Sequence, residues 1–308
     1  MSRINARFAL CLTLICWTAA AVVPASAQYF QQIPGTLQHI AAGRTEVWGL
    51  NYEVPVPGGA SIYRYNPSSQ SFVLIAGGLG QIAVGGGTPL QPDQVWGVNE
   101  WGDIYQYNFS SNVFVQMPGV AEQIAVGVGG SDVCHPFEVW AISTNQYIYR
   151  WNYEVVPACG PAGWVQIANP YPFSQIVTGD SDIWALDIID RIWHYNLVTQ
   201  GWTQIGGGCN NTLTEIAVGV NDVWGAGCNG TIYRSNPFQG GDFVAVAAGT
   251  WIAAGGNGVW GIDAGDVVHF TSGPPAYFLG LQPMTMAVGT GGGTWLINGS
   301  DQVYVFVP

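Results

Sequence analysis

The chain has 308 residues, of which only 8% are charged, and nineteen acids outweigh seven bases to give a net charge of −12. That balance offers no basic footprint for a phosphate backbone or an anionic lipid surface, which argues against nucleic acid and membrane partners. Low charge does not mean disorder here, because 48% of residues are hydrophobic and 13% aromatic, enough to build a core.

Residues 1–27 have the layout of an export signal. Arg3 and Arg7 give a positive start, residues 8–23 are an apolar run, and Ala25-Ser26-Ala27 has the small-x-small pattern of a cleavage site. The run is too short for a membrane anchor, and Leu10 and Ile15, which precede Cys11 and Cys16, do not suit lipidation. A secreted protein is expected, or a periplasmic one in a Gram-negative host, with one domain over residues 28–308. Beyond residue 27 there is no lysine, and the arginines are Arg44, Arg64, Arg150, Arg191 and Arg234. Four cysteines remain there, Cys134, Cys159, Cys209 and Cys228. An even number in an exported chain implies disulfides.

A tryptophan recurs through the rest of the chain: Trp48, Trp96, Trp140, Trp184, Trp224, Trp260 and Trp295. Around each, four short segments return in fixed order. One opens on an aromatic residue (Phe30, Phe72, Phe114, Trp164, Trp202, Phe243, Phe278). The next opens on Ile or Met and ends in Gly, as in Ile82-Ala83-Val84-Gly85. The third holds the tryptophan, and the fourth reads like Ile62-Tyr63-Arg64-Tyr65. Each is four to six residues of aromatic and β-branched type, separated by Gly, Asn, Asp, Ser and Pro, which are strand and turn signals. Four strands per unit, at 35 to 48 residues from one tryptophan to the next, predict an all-β chain folded as a propeller blade per unit.

Naming the strands from the hub outward, the Ile-Ala-Val-Gly segment is first, the Trp segment second, Ile-Tyr-Arg third and the Phe segment fourth. The chain starts with a fourth strand (Phe30) and stops after a third (Val303), so pairing the two closes a ring of seven blades and removes two open edges. Blades six and seven diverge most, which leaves a six-bladed ring with a decorated end as the alternative. Neighbouring blades are expected to cover both faces of every strand. In this scheme Cys134 and Cys159 share one rim and Cys209 and Cys228 the other, so the pairs 134–159 and 209–228 are expected as local staples of long loops.

Segments such as Ile82-Ala83-Val84-Gly85, Val95-Trp96-Gly97-Val98, Ile104-Tyr105-Gln106-Tyr107 and Phe114-Val115-Gln116-Met117-Pro118-Gly119 resemble the tectonin repeat. The resemblance covers all seven units. It implies a β-propeller that binds carbohydrate, since several tectonin-type proteins are lectins; other tectonin repeats serve as protein-contact modules.

The seven repeating tryptophans sit mid-strand between apolar neighbours and are expected to fill the space between blades. Trp101 differs, lying in the turn Asn99-Glu100-Trp101-Gly102-Asp103, where the core needs no indole. With Glu100 and Asp103 it forms a candidate sugar site, the ring stacking on C–H faces and the acids accepting hydroxyl protons; the alternative is a rim residue folded over its neighbour. The third position of the third strand is Arg64, Gln106, Arg150, His194, Arg234, His269 or Val305, and acids precede the tryptophans: Glu46, Asp93, Glu138, Asp182 and Asp222. Paired, these groups form either structural clasps or ligand-gripping clefts at Arg64, Arg150, His194 and Arg234.

Catalysis has little support. The acids recur as repeat elements with no distinct pair, and the histidines show no metal-ligand spacing. No cofactor or metal is expected. The reading is a non-enzymatic secreted lectin with several weak sites whose partners are glycans or glycan-coated surfaces. The alternative is a scaffold for protein, using the long inserts at residues 52–61, 86–94, 129–137 and 153–163.

Overall fold

The computed structural model describes residues 28–129, 133–179, 182–219, 222–235, 242–256, 258–270, 275–291 and 293–308. The expected export signal lies outside them. They form seven four-stranded antiparallel sheets, arranged as a β-propeller. Blade one comprises His39–Ala42, Val47–Val56, Gly59–Asn66 and Ser71–Leu79; blade two comprises Gln81–Gly85, Gln94–Val98, Asp103–Asn108 and Val113–Val120. Blade seven is closed as expected: Tyr29–Thr36 pairs with Gln302–Val307, placing Phe30 opposite Phe306 and Ile33 opposite Val303. Successive inner strands touch around the ring, and the last touches the first.

The repeating tryptophans are all buried, at most 8% exposed. Each packs into the following blade. Trp48 meets Tyr107 and Phe114, Trp140 meets Tyr195 and Trp202, and Trp295 of blade seven meets Tyr65 and Phe72 of blade one. Burying one indole, roughly 200 Å², contributes on the order of 5 kcal/mol before entropy is counted. Cys134–Cys159 and Cys209–Cys228 are the two disulfides, as the rim argument expects.

Two expectations need correction. The outermost strands are not covered on both faces: Val73, Leu74, Val115, Val165 and Val244 are 44–65% exposed, because a radial array splays apart at its circumference. The insert at 52–61 is not a loop. It prolongs the second and third strands of blade one into an overhanging hairpin, with Pro55 opposite Ala60, and Ser71–Leu79 is lengthened beside it.

Polar groups lock the inner ring. Gln81 donates its amide to the Ile124 carbonyl (2.9 Å) and accepts from the Ile124 N–H (3.0 Å), so one side chain bridges to the next blade's inner strand. Gln123 does the same to Ile176, Gln175 accepts from Ile216, and His39 Nε2 donates to the Ile82 carbonyl. Blade five carries Glu215 at this position, accepting from Ile252 N–H, and burial pushes its carboxyl up to about 8. Protonation supplies the donor that the glutamine amides carry.

The third-strand polar residues face the tryptophans across the ladder: Trp48 with Arg64, Trp140 with Arg150, Trp184 with His194 and Trp224 with Arg234. Arg150 binds Glu138 through Nε (2.9 Å) and Nη2 (2.5 Å), while Trp140 Nε1 donates to the same carboxylate at 2.8 Å. Arg64, Glu46 and Trp48 repeat this, as do His194, Asp182 and Trp184. Arg234 reaches Asp222, but the Trp224 indole N–H has no partner among the described residues. Asp93 does not join this set. Gln94 occupies the clasp register and accepts from Gln106 at 2.9 Å. Asp93 is instead fully buried and accepts from the backbone N–H of Arg44, Thr45, Glu46 and Gly87, stapling blade two to blade one. Gly258 and Gly293 stand at the acid position in blades six and seven; His269 lies flat on Trp260 there, 4.1 Å away.

Two outcomes follow for stability. The folded state holds a proton on Glu215 that the unfolded chain loses above its ordinary value of 4.5, so this contribution is full below 4.5 and is lost as pH rises toward about 8. His39 is held neutral by burial and acts in the opposite direction, losing its contribution as pH falls through its ordinary 6.5. Denaturant unfolding of the wild type and Glu215→Gln, which share His39, isolates the carboxyl: their difference should shift with pH by up to about 1.4 kcal/mol per unit between these limits, and a constant difference refutes the protonated latch. For the clasps, Glu138→Ala strands a buried guanidinium and an indole N–H and should cost about 3–5 kcal/mol. Glu46→Ala should cost about 1–2 kcal/mol, because Arg64 reaches solvent. Glu138→Leu with Arg150→Met should recover most of the loss, read from urea midpoints.

Candidate ligand-binding site

Trp101 is 63% exposed, so it is not folded over the rim. Its turn is held by Asn99, whose Oδ1 accepts from Trp101 N–H (3.0 Å) and Asp103 N–H (2.8 Å) and whose amide donates to the Asp103 carboxylate (3.0 Å). Gly102 takes a φ of +88°, open to glycine at little cost, and its N–H returns to the Asn99 carbonyl. Blades four and seven build the same turn on Asp187 and Asn298, presenting Ile189 and Ser300 where blade two presents Trp101. The overhanging hairpin braces the blade-two turn from the other side. Glu100 N–H donates to the Gly58 carbonyl (3.0 Å), and Tyr52 Oη donates to the Gly80 carbonyl (2.6 Å). Trp101 therefore stands on a rigid support, which limits the entropy lost on binding.

Beside it is a cleft of about 340 Å³ between blades two and three, lined by Gln81, Asn99, Glu100, Trp101, Glu122 and Thr144 among others. Glu100 and Glu122 are both exposed, and neither carboxylate has a partner among the described residues. An indole face with two free carboxylates and a hydroxyl offers an apolar platform and acceptors to one ligand. Asp103 is not part of it: its carboxylate closes the turn. Glu122 and Thr144 escape a reading of the turn alone, because they come from the connection into blade three and from that blade's own turn. The recurring Asn or Asp four residues before the third strand resumes is the available signal.

The remaining candidates lie apart from this cleft. Arg150 and Glu138 are buried in their clasp and present nothing to a ligand. Arg64 is 32% exposed and lines a second cleft of about 380 Å³ with Tyr65, Asn66, Tyr107 and Asn112. His194 is bound to Asp182, and Arg234 is half-exposed over Trp224.

The architecture is shared with proteins of very different sequence. PorZ, an essential bacterial surface component of the type-IX secretion system of Porphyromonas gingivalis, superposes with a TM-score of 0.62 at 9% identity, covering 90% of this chain and 37% of that one. The chain thus spans little more than a third of PorZ. Human WBSCR16 gives 0.62 at 9% identity, over 90% and 88% of the two chains, and U3-55K gives 0.64 at 7%, over 91% and 98%. Identities this low establish the fold alone. No curated protein matches the sequence. The Tectonin domain matches residues 17–171, half of the chain, and the same four-strand repeat runs on through the remaining blades: this chain belongs to the Tectonin family.

Proposed function

We propose that this Tectonin propeller is a secreted carbohydrate-binding protein without catalytic activity, and that its principal site is the Trp101 cleft. One observation carries the reading: an indole with no role in the core stands 63% exposed on a braced turn, at the edge of a cleft with two unpartnered carboxylates. Stacking on sugar C–H faces and accepting from hydroxyls is the chemistry that such a pair supports. The reading narrows the expectation of several weak sites to one principal site, because the equivalent turns carry Ile189 and Ser300 and most clasp charges are occupied by each other. Two disulfides are compatible with an oxidising compartment, and no helix among the described residues is long and apolar enough to cross a membrane.

A second reading, a protein-binding scaffold, is favoured by a different observation. The same rim also exposes Tyr52, Val54, Tyr147, Tyr171, Ile188 and Ile189, on blades one, three and four and the connection between the last two.

A glycan array probed with the purified protein separates the two. Binding to one sugar class, competed by the free sugar, is expected, and Trp101→Ala should weaken it at least about tenfold while changing stability by no more than about 0.5 kcal/mol. Unchanged binding by Trp101→Ala would move the site elsewhere. A folded protein that binds no glycan would overturn the carbohydrate reading and turn the search to partners of the rim.

A further inference from the structure

The Trp101 cleft has a neighbour. A second cavity of about 250 Å³ opens between the outer strand of blade two and the face of blade three, and Thr144 lines both. The partition between them is the single chain segment 119–122, with Gly119 and Val120 facing the second cavity and Ala121 and Glu122 facing the first.

The second cavity also brings an indole together with hydroxyl and amide groups, without a charged side chain. One wall is apolar, with Trp164, Tyr149 and Ile104, and the other carries Ser143, Thr144 and Asn145. Trp164 is fixed in place, since its Nε1 donates to the Pro118 carbonyl at 2.8 Å. Gly119, at a φ of +96°, lets the backbone approach that ring; a Cβ there would lie 3.2 Å from the indole. Thr144 and Asn145 are exposed at the lip.

Charge narrows the ligand further. Among the described residues no arginine or histidine lines either cavity, while Glu100 and Glu122 line the first. A carboxylated or sulfated sugar would meet like charge and find no cation, whereas hydroxyls and ammonium groups find acceptors.

We infer that the two cavities are adjoining subsites of one groove that holds a linear oligosaccharide of neutral or amino sugars, one unit against Trp101 and the next, across Thr144, against Trp164. The inference rests on the carbohydrate reading above and adds to it the length and the charge of the ligand. Each cavity alone falls near or below the lower end of the usual range for a small-molecule site, and the two together fall within it.

The test is calorimetric titration with oligomer ladders of one to four units: cello-oligosaccharides (neutral), chitosan oligomers (amino) and oligogalacturonates (anionic), together with the ladder of whichever sugar the array selects. Affinity for the neutral or amino ladder should rise about tenfold from one unit to two and level off by four. The anionic ladder should bind at least about tenfold more weakly. Asn145→Ala should flatten the rise, and Glu122→Gln should narrow the gap to the anionic ladder. A single unit that binds as tightly as the tetramer, or an anionic ladder that binds equally well, overturns the inference while leaving a one-unit site that Trp101→Ala still abolishes. Absence of binding by every ladder and by the array is the failure of the carbohydrate reading itself.

Discussion

The structure depends on one joint, repeated around the ring: the tryptophan of each second strand lies in the third and fourth strands of the next blade. A single four-stranded blade with two apolar faces has no stable existence in water, so each blade is stabilised by what its neighbours cover. Trp295 on Tyr65 and Phe72 makes the last seam of the same kind as the first, and Tyr29–Thr36 completes the sheet that carries it. Closure gives the inner strands of every blade a neighbour on each side, while the outermost strands splay into solvent.

The seams are alike in their apolar content and unlike in their polar content. Blades one, three and four place a carboxylate under the indole N–H and an arginine or histidine over it. In blade two a pair of glutamines replaces the clasp, and in blades six and seven glycine stands at the acid position. A buried ion pair gains little over a well-packed apolar pair, so its loss in some blades is inexpensive. A half-clasp would leave a buried charge or amide unmatched. The acid and its partner disappear together in blade seven, where Gly293 accompanies Val305, and are exchanged together in blade two; in blade six Gly258 replaces the acid while His269 stays, stacked on Trp260.

The periodic tryptophan, the strand order and the disulfide pairs are legible in the sequence because each is a property of the repeat. Arg150 and Glu138 could be matched because both hold a fixed register to Trp140. Asp93 reads in the sequence as one more clasp acid but is not one, because it precedes Trp96 by three residues instead of two, and in a strand one residue turns a side chain to the other face. The hairpin at 52–61 has the composition of a loop, with Pro55, Pro57 and Gly58, yet its ladder continues past a register shift. Glu122 and Thr144 join Trp101 only through the packing of blade three on blade two, a contact between distant residues that no local pattern encodes.

The seams and the proposed Trp101 contact occupy different parts of the repeat. The seams hold the tryptophans, the clasps and the Gln81 and Gln123 latches, where every change has a neighbour to disturb. The turn between second and third strands needs only its first residue, Asn99, Asp187 or Asn298, to accept from the backbone; the residue two positions on points to solvent. That residue is free to be Trp101, Ile189 or Ser300 without cost to the ring. Seven equal blades would then imply seven equal turns only if selection acted on the turns as it acts on the seams. The blade-two turn is braced by a neighbour's hairpin through Gly58 and Tyr52, and the same hairpin buries Ala60 against Leu79 in the seam between blades one and two. The proposed carbohydrate site thus combines a turn residue that the ring leaves free to vary with a hairpin that holds the turn in place.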